Sequence, residues 1–145
     1  VFDFVLASLL LLGLLVFMGM PISWNIILFP LYGAWALVLG LSIGLLLAAL
    51  NCIYKEIYQS IGYVLQVGFF FSPVLYPASS VPDKYLQYYQ MNPMVGVIDG
   101  FRWCFIQQGS PPNMSDVVGM TLTLLMFVAA LHVFRKIEPL MSDLK

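Results

Sequence analysis

Few side chains in this sequence could carry out chemistry, and most of those lie outside its long apolar runs. Asp99 and Arg102 are three residues apart, a spacing that brings two side chains together on one helix surface. Such a pair could belong to an enzyme at a membrane interface, but a structural ion pair explains it better. The single histidine, His132, lies near Arg135 and Lys136, where an interfacial residue is expected rather than a proton relay.

The sequence lacks the motifs that common catalytic and metal-binding sites require. It contains no GxxxxGK[ST] phosphate loop, no GxSxG elbow, no HExxH and no CxxC. Cys52 and Cys104 fall in different connecting regions, on opposite sides of the membrane in the topology below, so two free thiols are expected. The acids are scattered outside the apolar runs, and no buried carboxylate suggests ion coupling. We therefore expect no catalytic residue, no metal and no cofactor in this chain.

Composition places the chain in a membrane. It has 145 residues, of which 61% are hydrophobic and only 9% are charged, whereas a soluble domain carries about 25% charged residues. The net charge of −1 offers no basic surface for nucleic acid. The sequence begins with Val1, without a positively charged leader, and we expect it to be the C-terminal part of a longer chain.

Four apolar segments approach or exceed the roughly 17–25 residues that a spanning helix needs. The predicted spans cover about 4–20, 26–50, 57–77 and 117–134. The sequence thus predicts a single all-α membrane domain over 1–145, with four transmembrane helices and two short amphipathic helices, re-entrant or interfacial, before the last span.

The two short helices form a predicted hairpin over 83–108. Asn92 can cap the second helix and Pro93 can occupy its first turn. This helix, Pro93–Gln108, is too short and too polar to cross a bilayer comfortably, since about 16 residues extend only about 24 Å. We expect the hairpin to lie in, or dip into, one membrane interface.

Positive charges predict the orientation of the chain. Four of them fall on one side of the predicted topology and two on the other: Lys55, Arg135, Lys136 and Lys145 against Lys84 and Arg102. This places the termini and the Asn51–Ser60 loop in the cytoplasm and the 83–108 hairpin outside it.

Two spans and one loop carry features that allow more than one interpretation. The second span has small residues four apart, at Ala36, Gly40, Gly44 and Ala48, which favour packing within the chain or a subunit contact. The third span holds Tyr63 and Gln66 and then Phe69-Phe70-Phe71, which form either an interfacial belt or a surface that contacts a substrate. The Asn51–Gln59 loop is either a solvated turn or a docking element.

Three short stretches, in their order along the chain, resemble a known family. They are Asn51…Tyr54-Lys55-Glu56, then Phe71-Ser72-Pro73-Val74-Leu75-Tyr76-Pro77, then Asn92-Pro93-Met94-Val95-Gly96…Gly100-Phe101-Arg102. The combination resembles the permease subunit of bacterial polysaccharide ABC exporters, the type-2 class that exports O-antigen, teichoic acid and capsule chains. The resemblance covers essentially the whole chain, but only the C-terminal four of that family's six spans.

The resemblance implies partners, a location and roles for particular residues. The permease would pair with a second copy and with ATP-binding subunits that hold ATP and Mg, in the bacterial cytoplasmic (inner) membrane, as a multi-pass protein with a cytoplasmic C-terminus. It would contact membrane lipid and a lipid-linked polysaccharide, but no nucleic acid. Coupling to the ATPase would involve Asn51, Tyr54, Lys55 and Glu56. The translocation path would be lined by Tyr63, Gln66, Phe69, Phe70, Phe71 and Tyr76. The extracytoplasmic gate would comprise Asn92, Pro93, Asp99, Arg102 and Trp103.

Three other functions are compatible with the sequence. A drug or lipid ABC exporter permease would have the same architecture. A membrane-embedded enzyme of a glycan pathway, such as an acyltransferase, would need polar catalytic residues at one interface, and only Asp99 and Arg102 approach that description. A passive anchor would leave the hairpin without a purpose.

Overall fold

The computed structural model describes residues 2–19, 24–54, 56–72, 74, 81–82, 84, 89–107 and 111–142. All regular structure in those residues is helical, which confirms the predicted all-α class for that part of the chain. The helices are α1 (Phe2–Phe17), a 3₁₀ helix (Trp24–Leu28), α2 (Phe29–Ile53), α3 (Glu56–Phe71), α4 (Pro93–Ile106) and α5 (Met114–Ser142).

Two helical stretches are long and apolar enough to cross a membrane. They are Trp24–Ile53 and Met114–Ile137, with mean hydropathy of 2.4 and 2.2, and the predicted spans 26–50 and 117–134 lie inside them. α1 and α3 each have 16 residues, about 24 Å of helix, which is shorter than the roughly 30 Å hydrocarbon core. The ends of the predicted spans 4–20 and 57–77 lie partly outside the described residues, so four crossings stay a prediction.

α2 and α5 lie side by side and run in the same direction. Tyr32 of α2 is hydrogen-bonded to Asp116 of α5, and Trp35 of α2 is hydrogen-bonded to Thr123 of α5. The later residue of α2 thus pairs with the later residue of α5, as it does in parallel helices. Both helices continue from these hydrogen bonds for about 30 Å toward their C-terminal ends, which therefore lie on the same side of the molecule. We call the end with the two N-termini the α4 end, and the opposite end, with the Ile53–Glu56 connection, the turn end.

α4 packs across the α4 end and runs antiparallel to α2. Gly96, early in α4, lies against Trp35, whereas Phe105, late in α4, has its ring centroid 5.1 Å from that of Phe29. The turn before α4 is therefore its deepest point, and the Cα of Pro93 lies 3.5 Å from the position of a Cβ on Gly119 of α5. The re-entrant or interfacial position of this helix in a membrane stays a prediction. The first helix of the hairpin falls largely outside the described residues.

α3 connects the two ends. It begins at Glu56, directly after the end of α2, and the carbonyl of Val74 beyond it accepts a hydrogen bond from Arg102 of α4 at 3.4 Å. Every residue from Gly62 to Phe70 is exposed, so the second half of α3 is not buried by the part of the chain that the structure describes.

α1 meets the other helices near its own start. The Phe4 ring lies 6.4 Å from the Phe29 ring and 6.2 Å from the Phe101 ring, measured between centroids. An antiparallel hairpin of α1 and α2 would instead bring Phe4 beside the second half of α2, so these contacts differ from those expected of consecutive spans.

The glycines that mediate packing are not those that the small-residue pattern of α2 indicated. Gly40 and Gly44 are exposed, and a Cβ on either would have no neighbour within 4 Å. Packing within the described chain uses Gly96, Gly100 and Gly119 instead. Of the small residues four apart, Ala36 packs against the core of the described chain, whereas Gly40 and Gly44 do not, because α5 packs on the Tyr32–Trp35 face of α2. A subunit contact through Gly40 and Gly44 stays a prediction.

Candidate functional site

A buried carboxylate joins α2 to the start of α5. Asp116 is 8% exposed, and its Oδ2 accepts a hydrogen bond from the Tyr32 hydroxyl at 3.1 Å and another from the Asn113 backbone N–H at 3.3 Å. The side chain of Asn113 accepts from the Ser115 N–H at 2.9 Å. Asn113 and Asp116 thus form a reciprocal cap on α5, which uses two N–H groups that have no partner inside a helix.

A second buried hydrogen bond lies one turn deeper. The indole Nε1 of Trp35 donates to Oγ1 of Thr123 at 2.9 Å, and Thr123 in turn donates to the carbonyl of Gly119 at 2.8 Å. Thr123 is 1% exposed and Trp35 is 5% exposed. Both polar groups need these partners because a buried group without a hydrogen bond destabilises the fold.

Glycines let the aromatic rings of α2 reach this position. A Cβ on Gly96 would collide with the Trp35 ring, and a Cβ on Gly100 would collide with the Tyr32 ring. On α5, a Cβ at Gly119 would stand 2.7 Å from Cζ2 of Trp35. We call Tyr32, Trp35, Gly96, Gly100 and Gly119 the aromatic–glycine cluster. It packs three helices around two rings.

The residues predicted to form a gate all lie on α4 or at its start. Asn92 caps the helix, with its side chain accepting from the Met94 N–H at 3.0 Å, and Pro93 occupies the first turn, which confirms the predicted cap. α4 ends at Ile106, with Gln107 in the left-handed region at φ 56°, two residues before the predicted end. Trp103 is half-buried and packs on the core that contains Tyr32 and Trp35.

The predicted Asp99–Arg102 ion pair is present. The Arg102 Nη1 to Asp99 Oδ1 distance is 3.4 Å, and the two side chains are 26% and 14% exposed. Burial raises the pKa of Asp99 above its usual value, while the Arg102 guanidinium acts in the opposite direction. Asp99 and Asp116 both line a small cavity of about 20 Å³, whose size suits one water molecule.

The predicted path residues lie away from this cluster, on the unpacked half of α3. Tyr63 is 73% exposed, Phe70 is 59% exposed and Phe69 is 45% exposed, and Gln66 is exposed among them. The Phe69 and Phe70 rings meet edge to face at 6.0 Å. Only the helical backbone of Phe71 is described, and Tyr76 lies outside the described residues. The structure thus brings four of the six residues onto one exposed helix segment.

The predicted coupling residues lie at the turn end. Asn51 is in the last turn of α2, and its Oδ1 is buried with no hydrogen-bond partner among the described residues. Tyr54 is extended and 58% exposed, and Glu56 is the exposed first residue of α3, where the helix dipole favours a carboxylate. Lys55 lies outside the described residues.

Sequence reasoning missed Asp116, Tyr32 and Trp35. It placed Asp116 among the scattered acids outside the predicted spans, and did not anticipate that this side chain is buried. One local signal was available, since Asn113-x-x-Asp116 has the spacing of a capping box. No pattern along α2 marks Tyr32 and Trp35, because their partners lie more than 60 residues away.

The described residues contain no group of three His, Cys, Asp or Glu side chains able to hold a metal ion. Cys104 is a free thiol, as predicted, and is completely buried in α4. The Cys52 thiol donates a hydrogen bond to the carbonyl of Ala48 at 3.2 Å.

Comparison with known proteins gives two matches. The model of the ABC-2 type transporter family matches residues 1–106, which include α1 to α4. The chain is 30% identical over 111 residues to the O-antigen export system permease protein RfbA of Myxococcus xanthus. That alignment covers 75% of this chain and 43% of the relative, so the chain spans less than half the length of the curated protein that it matches.

Proposed function

The chain belongs to the ABC-2 type transporter family, and we propose that it forms part of the membrane subunit of an ATP-driven exporter for lipid-linked polysaccharide. The similarity to an O-antigen export permease supports the substrate class. The proposed movement is outward across the bacterial cytoplasmic membrane. ATP and Mg would be held by a separate ATP-binding subunit, and a second copy of the permease would complete the path.

The observation that supports this proposal best is the separation of two kinds of surface along α2 and α5. Because the two helices run in parallel, the packed hairpin helix α4 lies at one end and the exposed Tyr54 and Glu56 lie at the other. An exporter needs this separation, since its energy source acts on one side of the membrane and its exit opens on the other. α3 leads from one end to the other, which supports it as a further crossing.

The distribution of charge supports a cytoplasmic turn end. Exposed Arg135 and Lys136 lie in the C-terminal part of α5, near the level of the turn, whereas Arg102 lies at the α4 end. Excess Lys and Arg mark the cytoplasmic side of membrane proteins. On this basis the C-terminus is cytoplasmic and α4 is extracytoplasmic.

The exposed segment of α3 is the proposed path surface. Tyr63, Phe69 and Phe70 present aromatic faces, and Gln66 presents an amide that needs a polar partner in an apolar medium. A surface made of rings and one amide suits a chain of sugars, which has both apolar faces and hydroxyl groups.

The first test is co-purification of the full-length permease with its proposed ATP-binding subunit. We expect Tyr54→Ala with Glu56→Ala to reduce recovery of the ATPase, its stimulation by the permease and the export of glycan. Trp24→Ala is the matched control, because this aromatic residue is 87% exposed at the opposite end. Normal recovery and export in the double variant would exclude this turn as the coupling point.

A further inference from the structure

We infer that a groove between the start of α5 and the residues just before α4 binds one sugar residue of the exported polysaccharide. The inference rests on the proposed function, because it gives that transporter a glycan contact at the α4 end, separate from the exposed segment of α3.

The first observation is the groove itself. It has a volume of about 270 Å³, close to the lower limit of about 300 Å³ for small-molecule sites, so its size suits one ring. The Cα of Pro93 lies 3.5 Å from the position of a Cβ on Gly119, and this close approach of α4 to α5 fixes the two walls relative to each other. The groove is lined by Gln90, Met91, Met114, Ser115 and Val118.

The second observation is that the walls combine two kinds of surface. Met91, Met114 and Val118 present exposed apolar side chains, and the flexible thioether chains adapt to the shape of what they contact. Gln90 supplies an amide and Ser115 a hydroxyl, both able to donate and to accept hydrogen bonds. A sugar ring has apolar C–H faces edged by hydroxyl groups, so it matches both surfaces at once.

The third observation is a polar cavity that adjoins the groove. Gln90 and Ser115 line the groove and also the small cavity of about 20 Å³ that Asp99 and Asp116 line. Oδ1 of Asp116 lies 3.1 Å from the position of a Cβ on Gly96, and Gly96 lines the same cavity. One water molecule fits there, and it would link a hydroxyl group in the groove to a carboxylate.

The charge of these residues favours a sugar over a lipid headgroup. Asp99 is paired with Arg102, whereas the described donors to Asp116 are the Tyr32 hydroxyl and the Asn113 backbone N–H, which are both neutral. An ionised carboxylate accepts hydrogen bonds only, and it repels the phosphate of a lipid headgroup. A neutral ring with hydroxyl groups provides donors without that repulsion.

The test is photo-crosslinking in cells that produce the polysaccharide, with the full-length permease and its ATP-binding subunit. A diazirine amino acid replaces either Val118, which lines the groove, or Val117, which is not among its lining residues. The two valines are neighbours in α5 with similar exposure, 43% and 54%. Polysaccharide is labelled with a tritiated monosaccharide, and membrane lipid is labelled in a parallel culture with tritiated oleate. We expect roughly tenfold more sugar label at position 118 than at 117, the ratio that about 1.4 kcal/mol of local binding produces.

Substitutions test whether the groove is used during export. Val118→Trp fills the groove and should lower glycan export, whereas Val117→Trp is the matched control and should leave export unchanged. Thermal unfolding in detergent checks that both variants are folded. If Val118→Trp does not fold, Gln90→Ala removes the exposed amide without adding bulk, and it should lower both export and the sugar label captured at position 118.

The outcomes separate the inference from the proposed function. Equal sugar label at positions 117 and 118 would overturn the inference, and so would oleate label or a crosslinked protein at 118 in place of sugar. Normal export by folded Val118→Trp together with normal export by Gln90→Ala would also overturn it, while the exporter itself would stand. If deletion of the permease leaves surface polysaccharide unchanged, the proposed function fails and the inference fails with it.

Discussion

Tyr32 and Tyr63 both lie in strongly apolar helices, but their environments are opposite. Tyr32 is 1% exposed, covered by Gly100 of α4 and hydrogen-bonded to Asp116. Tyr63 is 73% exposed on α3. The α4 end of the molecule satisfies its aromatic and polar groups within the chain, whereas the second half of α3 leaves its groups to contacts outside the described residues.

The difference teaches that glycine placement, rather than aromatic content, decides which helices pack. α4 contributes Gly96 and Gly100 and α5 contributes Gly119 where rings of α2 approach, but a Cβ on Gly62 or Gly68 of α3 would have no neighbour within 4 Å. Without a hydrophobic driving force between helices in lipid, close approach through small residues is a main source of association. α3 has the small residues, but no described ring lies against Gly62 or Gly68.

The largest expected effect comes from adding one methyl group in each region. Gly100→Ala should destabilise the protein by about 1–3 kcal/mol, the usual cost of overpacking, because its Cβ would collide with the Tyr32 ring. Gly68→Ala in α3 should not lower stability. Thermal unfolding in detergent measures both. Equal stability of the two variants would mean that the Tyr32 ring is free to move aside.

A smaller effect is expected from removing the indole N–H at one buried and one exposed tryptophan. Trp35→Phe keeps most of the ring but loses the bond to Thr123, which should cost about 1 kcal/mol. Trp24→Phe, at a position that is 87% exposed, should leave the melting temperature unchanged. If both variants melt like the wild type, the Trp35–Thr123 bond does not hold α2 and α5 together.

A still smaller effect should depend on pH. Because the pKa of Asp99 is raised in the folded protein, the folded state binds the proton more tightly than the unfolded state does. The resulting stability is present below the unfolded pKa of about 4 and is lost as pH rises through the folded value. The melting temperature of the wild type should therefore fall relative to that of Asp99→Asn as pH rises from 4 to 7. A pH-independent difference would contradict the raised pKa.

The smallest effect on stability is expected for the exposed rings of α3. Phe70→Ala should change the free energy of unfolding by less than about 0.5 kcal/mol, as at most surface positions, and yet reduce glycan export. Phe101→Ala is the comparison on α4, where the ring contacts Phe4, Phe29 and Phe105, and it should lower stability clearly. A destabilised Phe70→Ala would show that α3 is packed in the complete protein.

Features that depend on a few neighbouring residues were predicted correctly. The Asn92 cap, Pro93 in the first turn of α4 and the Asp99–Arg102 pair all depend on contacts within four residues. The helical nature of 26–50 and 117–134 follows from long apolar runs. The end of α4 was misplaced by two residues, because Gln107 adopts the left-handed conformation before Gly109 is reached.

Features that depend on distant residues were not predictable from pattern. Asp116 looked like one more acid outside a span, because nothing near it in the sequence marks Tyr32, 84 residues away, as its donor. The Gly40–Gly44 pattern looked like a packing face, yet it is exposed, while Gly96 and Gly100 have the same spacing and are used. Glycine spacing shows that another helix could approach closely, but only the position of the neighbouring helix shows whether it does.

The sequence by itself thus determined the all-α class, the long apolar helices over 26–50 and 117–134 and the ordered short stretches that indicated an exporter permease, since each depends on composition or local spacing. The tertiary structure decided that α2 and α5 run in parallel, that α4 lies across one end of them, and that Asp116 is buried between them. The reason is that two rings of α2 fit only against the three glycines of α4 and α5, and the Asp116 carboxylate finds its Tyr32 donor only when these helices are packed together.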